Sequence, residues 1–140
     1  VKVELCVSKI NLKDYKGLIL IGGYAMDRLR YQTSLSDGPN SAPAVELLRQ
    51  AVGRMNEGKL AIGTICHSLW LFCADPSLLK GRKVTCAHNI ACDVENAGGK
   101  LIVANGETVE TYADGLLITG RHPGAVEAFD DLFLQTINSL

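Results

Sequence analysis

The sequence predicts an α/β domain in which an open, mostly parallel sheet is covered by helices on both faces. Three observations carry this: short continuous apolar runs of strand length, segments of helical apolar period between them, and Gly, Pro and Asn turn signals at the junctions.

Taken in order, Val1, Val3, Leu5 and Val7 alternate with Lys2, Glu4 and Cys6, the period of a half-buried strand near a sheet edge. Residues 18–21 form a continuous apolar run closed by Gly22 and Gly23, which predicts a strand buried on both faces. Residues 32–43 are rich in Ser, Asp, Gly, Pro and Asn without apolar period and read as loop. Val45, Leu48, Val52 and Met55 then share one helical face, and Glu57, Gly58 and Lys59 mark the end of that helix. Residues 60–65 are a second buried strand, followed by a short helix from residues 68–72 that must stop before Pro76. Residues 84–87 read as a third strand, and residues 89–97 as a helix stopped at Gly98 and Gly99. Residues 101–103 and 108–111 pair as a hairpin around Asn105 and Gly106, and residues 116–119 are a last buried strand. The closing helix puts Val126, Phe129, Leu132, Phe133 and Ile137 on one face behind Pro123.

A chain of 140 residues fits one domain and buries a substantial core without disulfide or metal staples. With 47% hydrophobic residues, 21% charged residues and a net charge of −1, it offers no field to draw in nucleic acid or anionic lipid. No apolar run approaches the roughly 18 residues of a membrane span, and the N-terminus lacks a signal-peptide pattern, so the expectation is a cytoplasmic protein without nucleic-acid or membrane partners. The five cysteines, Cys6, Cys66, Cys73, Cys86 and Cys92, are odd in number and contain no C-x-x-C pair, which argues against a disulfide framework or a structural zinc site. Most are expected in the core, where free cysteine is common. Neither a glycine-rich phosphate motif nor a metal-ligand cluster is present, so no cofactor and no metal is expected.

Ligands of such sheets bind beyond the carboxyl ends of the strands. Three ends stand out: Gly22 and Gly23, then Cys66, His67 and Ser68, then His88 and Asn89. A thiol at a tight strand-to-helix turn projects at the mouth of the sheet, where the start of the following helix favours its thiolate. Backbone N–H groups after Cys66, together with the Gly22 and Gly23 turn, can form an oxyanion hole. His88 and Asn89 face the same pocket or serve structure, and His122, at the mouth of the last strand, is within loop reach of a substrate. Trp70 and Phe72 read as core or subunit contact.

Residues 61–68 (AIGTICHS) resemble the "ICHG" elbow of the DJ-1/PfpI superfamily, and residues 18–23 (LILIGG) resemble its earlier Gly-Gly strand end. Residues 79–85 (LKGRKVT), 93–99 (DVENAGG) and 114–120 (DGLLITG) follow in the same order, so the resemblance covers almost the whole chain. It implies a flavodoxin-like three-layer sandwich with Cys66 as nucleophile and His67 as its base, in a family of glyoxalase III and deglycase enzymes, PfpI-type peptidases and stress chaperones. Asp27 matches an acid that, in the peptidase-like branch, reaches the histidine from a neighbouring subunit, which implies a homo-oligomer. The implied substrates are small carbonyl compounds or peptides. Ser68 stands where the family has glycine and adds a hydroxyl near the pocket, and residues 31–43 resemble an insertion.

Family members open with a strand and helix that supply a glutamate to the nucleophile, and residues 1–14 do not match that opening. The resulting expectation is a fold entered partway, its first segment missing or supplied by another chain, with apolar sheet edge left exposed. Two functions remain: a cysteine enzyme acting at a carbonyl carbon, or a redox sensor or chaperone whose Cys66 is oxidised to a sulfinate. His67 favours the enzyme, because a sensor needs a low thiol pKa but no general base.

Overall fold

The structure is a computed structural model that describes residues 2–140. Its centre is a four-stranded sheet in the order β1 (Gly17–Leu20), β2 (Ala61–Ile65), β8 (Leu117–Gly120), β7 (Thr111–Asp114). β1, β2 and β8 run parallel, with Gly17 opposite Ala61 and Ile62 opposite Leu117, while β7 closes the sheet antiparallel to β8. Between these strands lie α1 (Ala25–Leu29), α2 (Pro43–Asn56), α3 (Leu69–Cys73), α4 (Ala91–Asn96), the short β3 (Lys83–Val84), β4 (Lys100–Leu101), β5 (Val103–Ala104) and β6 (Glu107–Thr108), and α5 (Val126–Asn138) ends the chain. This is the mostly parallel flavodoxin-like sandwich the sequence predicts.

The pleat divides β2 between two cores. Ile62 faces the layer built by Val45, Leu48, Val52 and Met55 of α2 with Leu69 and Phe72 of α3. Ala61 and Ile65 face α5 instead, where they meet Ile118, Phe129 and Phe133. Each large side chain fully buried this way stabilises the fold by about 1.5–3 kcal/mol. α5 comes close because Gly63 has no side chain: a Cβ there would lie 2.7 Å from Phe129 Cζ and 3.1 Å from the Phe133 ring.

Several expectations change. Residues 2–6 join no strand, Val7–Lys9 form a single 3-10 turn, and Val3 is 82% exposed; Val1 lies outside the described residues. Alternation reports a chain able to lie on a surface, and no described strand offers it one. Burial on both faces was expected for residues 18–21, but Ile19 on β1 and Ile21 just after it are exposed, and among the described residues β1 is an edge strand. The run 84–87 is buried but only its start is strand. Lys83 N–H donates to the Asp114 carboxylate and Thr85 N–H to Thr119 Oγ1, so side chains take the place of a ladder. The turn at Asn105 and Gly106, both at positive φ, makes the expected hairpin: Val103 pairs with Thr108, and Val109 N–H donates to Ile102 O, while Leu101 pairs with Val84 instead. α1, which the sequence reading passes over, follows Gly23 directly. Of the cysteines, all free, only Cys86 is fully buried.

Two glycines give opposite expected outcomes. Gly63→Val should destabilise by about 1–3 kcal/mol through overpacking against α5. Gly53→Ala, on an exposed part of α2 with open space around its Cβ, should stabilise by about 0.5–1 kcal/mol. Urea denaturation midpoints of the two variants test both signs.

Candidate active site

β2 ends at Ile65 and the chain turns at once into α3, which forces Cys66 to φ +62°, a left-handed conformation that a side-chain-bearing residue seldom adopts. The backbone around it is fully engaged. Cys66 N–H donates to Gly120 O at the end of β8, Ala87 N–H donates to Cys66 O, and Ser68 N–H returns to Ile65 O. Ser68 is wholly buried, its hydroxyl 2.5 Å from Leu20 O and 2.7 Å from Ile65 O, so its single proton is given to one of two carbonyls that flank the turn. It secures the elbow and contributes nothing to the pocket, contrary to the expectation for it. Gly22, at φ +84°, passes so close that a Cβ would sit 2.6 Å from Ile65 O and 3.1 Å from Cys66 Cβ. Only glycine fits there, and the three strand ends of β1, β2 and β8 therefore converge on one thiol.

His67 lies beside it with Nδ1 2.8 Å from Cys66 Sγ and Nε2 2.9 Å from the Asn89 amide nitrogen. The imidazole is 9% exposed and is clamped by two rings, Tyr24 at 4.7 Å and Trp70 at 5.1 Å between centroids. Trp70 Nε1 donates to Asp93 Oδ2, and Arg30 lies 5.6 Å over the Trp70 ring. Trp70 packs against the core, as expected, and in addition supports the imidazole, while Phe72 is core. Cys66 and His67 open onto a cavity of about 550 Å³ with apolar walls from Ile19, Ile21, Tyr24, Val126 and Phe129. Gly23 and His67 line it as well, and among the described residues their N–H groups meet no acceptor, while those of Cys66 and Ser68 are spent on the elbow.

Gly22, Gly23, Cys66, His67 and Asn89 are therefore brought together, and others are not. Within the chain, the Asp27 carboxylate accepts hydrogen bonds from Arg30 and Tyr31. The Arg30 bonds hold that carboxyl below its usual range. His88 and His122 line a separate cavity of about 290 Å³ with Glu107 and Arg121, and His122 Nδ1 accepts from Gly124 N–H. Tyr24 and the α5 wall were missed by sequence reasoning. Tyr24 follows the Gly22 and Gly23 strand end, so the strand-end rule could have reached it; Val126 and Phe129 carry only a helical period, which does not say what faces a pocket.

The thiols differ in their readiness to ionise. Burial pushes Cys73 up to about 11 and Cys86 up to about 12, while a hydrogen bond from Ser8 lowers the exposed Cys6.

Comparison with known proteins gives one answer. The chain is 32% identical over 137 residues to the deglycase PfpI of Pyrococcus furiosus, covering 98% of this chain and 71% of that protein. It is 30% identical over 130 residues to YraA of Bacillus subtilis, named provisionally as a cysteine protease, covering 93% of this chain and 66% of the relative. The chain thus spans about two-thirds of the length of these curated relatives. In fold it matches the crystal structure of a ThiJ/PfpI domain protein from Brachyspira murdochii with a TM-score of 0.80 at 14% identity, over 100% of this chain and 70% of that one. The family model for the DJ-1/PfpI family matches residues 1–136, and the chain belongs to that family.

Proposed function

We propose that the protein is a cysteine-dependent enzyme acting at a carbonyl carbon, with Cys66 as nucleophile and His67 as its proton acceptor and donor. The observation that carries this is the 2.8 Å approach of Sγ to Nδ1 on a left-handed elbow that opens into the cavity. The names of the relatives, a deglycase and a provisional cysteine protease, support chemistry of this class.

In this reading Nδ1 takes the thiol proton and Sγ attacks the carbonyl carbon. The carbonyl π pair moves onto oxygen, where the N–H groups of His67 and Gly23 are free to receive the charge. With a 2-oxoaldehyde the imidazolium returns its proton to that oxygen, and a hemithioacetal results. With a peptide amide it protonates the departing nitrogen, leaving an acyl-enzyme for water to cleave. The apolar walls favour a substrate that brings hydrocarbon next to its reacting carbonyl.

We also propose that the chain self-associates through the segment after Gly23. Tyr24, Leu29, Tyr31 and Leu35 are exposed there, the last at 93%, and Asp27 lies among them. Contact between copies along this surface would bring Asp27 of one towards the site of another. Light scattering should report a dimer or larger, and Leu35→Glu should shift it towards monomer; a monomer at working concentration removes Asp27 from the mechanism.

Limiting iodoacetamide followed by peptide mass mapping should label Cys66 first. Cys73 and Cys86, held protonated by burial, should react last. Cys6 is the informative rival, since it is exposed and its pKa is lowered; faster labelling there would count against Cys66 as the activated thiol.

Turnover of methylglyoxal or a peptide amide should vanish in Cys66→Ala. It should fall by about 10²- to 10⁴-fold in His67→Ala, which loses the base but keeps the thiol. No turnover of either substrate by the wild type, combined with stoichiometric conversion of Cys66 to sulfinate in mild peroxide, would replace the enzyme reading with a redox sensor.

A further inference from the structure

A histidine that removes a thiol proton must carry its own hydrogen on the far nitrogen and give it to something. Here Nδ1 faces Cys66 Sγ, so the far nitrogen is Nε2, and the group in contact with it is the Asn89 side-chain amide, whose Nδ2 stands 2.9 Å away and whose Oδ1 takes that place after a half-turn of the amide. Asn89 stands on a 3-10 turn, His88–Ile90, directly before α4, and the backbone just ahead of it is tied to the elbow by the Ala87 N–H bond to Cys66 O. The amide and the thiol are thus carried on one hydrogen-bonded frame, and the imidazole bridges them. Tyr24 and Trp70 pack against the imidazole ring, leaving its two nitrogens to Cys66 and Asn89.

We propose that Asn89 is the positioning residue of the site, third in a Cys66–His67–Asn89 chain contained within one subunit. The inference rests on the reading of Cys66 and His67 above. An amide suits the task because it has an acceptor end and a donor end of nearly the same shape. With Oδ1 towards the ring, Asn89 accepts Nε2–H and leaves the Nδ1 lone pair free to take the thiol proton. The thiolate and imidazolium so formed keep that bond, since Nε2 still bears its hydrogen. With Nδ2 towards the ring, Asn89 donates to Nε2 and favours the tautomer with hydrogen on Nδ1, which is the proton to be returned to the product. No proton passes to Asn89 in either arrangement. The charged groups near the ring, Arg30 over Trp70, Asp93 on the Trp70 indole and Asp130 on the cavity wall, act on His67 through space, whereas Asn89 touches it.

The test is the pH dependence of Cys66 alkylation by iodoacetamide, which needs no substrate and so stands apart from whether the chosen substrates are turned over. Asn89→Ala should raise the pH midpoint of alkylation by about one unit, tenfold in thiolate at lower pH, because the imidazolium loses an acceptor. Asn89→Asp should move it the other way, since a carboxylate holds the imidazolium more strongly. Opposite shifts from one position are not what a purely structural defect produces, and both variants should fold, because Asn89 is at the surface. Asn89→Asp alone carries the test if Asn89→Ala melts early. Profiles of both variants that superimpose on the wild type would overturn the proposal. So would a shift of equal size in Asp27→Asn with none at Asn89, which would assign the third position to the neighbouring subunit's acid.

Discussion

The site depends on a single constrained residue. Cys66 is held at positive φ, a conformation that costs a non-glycine residue roughly 1–3 kcal/mol and persists only where its surroundings over-determine it. Those surroundings are the backbone bonds to Gly120, Ala87 and Ile65, the Ser68 hydroxyl lodged against the carbonyls of β1 and β2, and the van der Waals contact of Gly22. Gly22 with Leu20, Ala87 and Gly120 come from three distant stretches of chain. The strain at the elbow is therefore sustained by the sheet as a whole, and the thiol opens onto the cavity.

The cores on either side serve this geometry. Gly63, in the middle of β2, lets the Phe129 and Phe133 rings lie directly on the sheet, and Phe129 continues upward to become a wall of the cavity. On the opposite face, α2 and α3 bury Leu48, Leu69 and Phe72. The exposed edge of β1 adds Ile19 and Ile21 to the same apolar wall, so sheet edge and pocket form one continuous surface.

The five cysteines differ in environment. Desolvation silences Cys73 and Cys86 as nucleophiles by keeping them protonated, whereas Cys66 combines a cavity, a neighbouring imidazole and two unclaimed N–H groups. The imidazole is equally defined: two rings limit its tilt and two hydrogen-bonding partners occupy its nitrogens. A side chain so fixed has little freedom left to lose.

The buried strands β2 and β8, the apolar faces of α2 and α5, and the placing of Cys66 and His67 at a strand end were legible in the sequence, because periodicity and turn residues report local backbone and burial directly. The hairpin at Asn105 and Gly106 was legible for the same reason, though not that Leu101 leaves it to pair with Val84. What only tertiary structure decided was partnership. An apolar run does not say whether it lies at the centre or the edge of a sheet, so residues 18–21 were read as doubly buried when β1 has one neighbour. An alternating segment does not say whether a strand waits beside it, and residues 2–6 find none among the described residues. The Ser68 hydroxyl turned inward because two carbonyls, one of them 48 positions away, lay within reach. Asn89, 22 positions from His67, came to Nε2 because the end of the buried 84–87 run is bonded to the elbow. Local chemistry names the residues able to act; which of them meet is set by contacts distant in the chain, whose geometry no local pattern encodes.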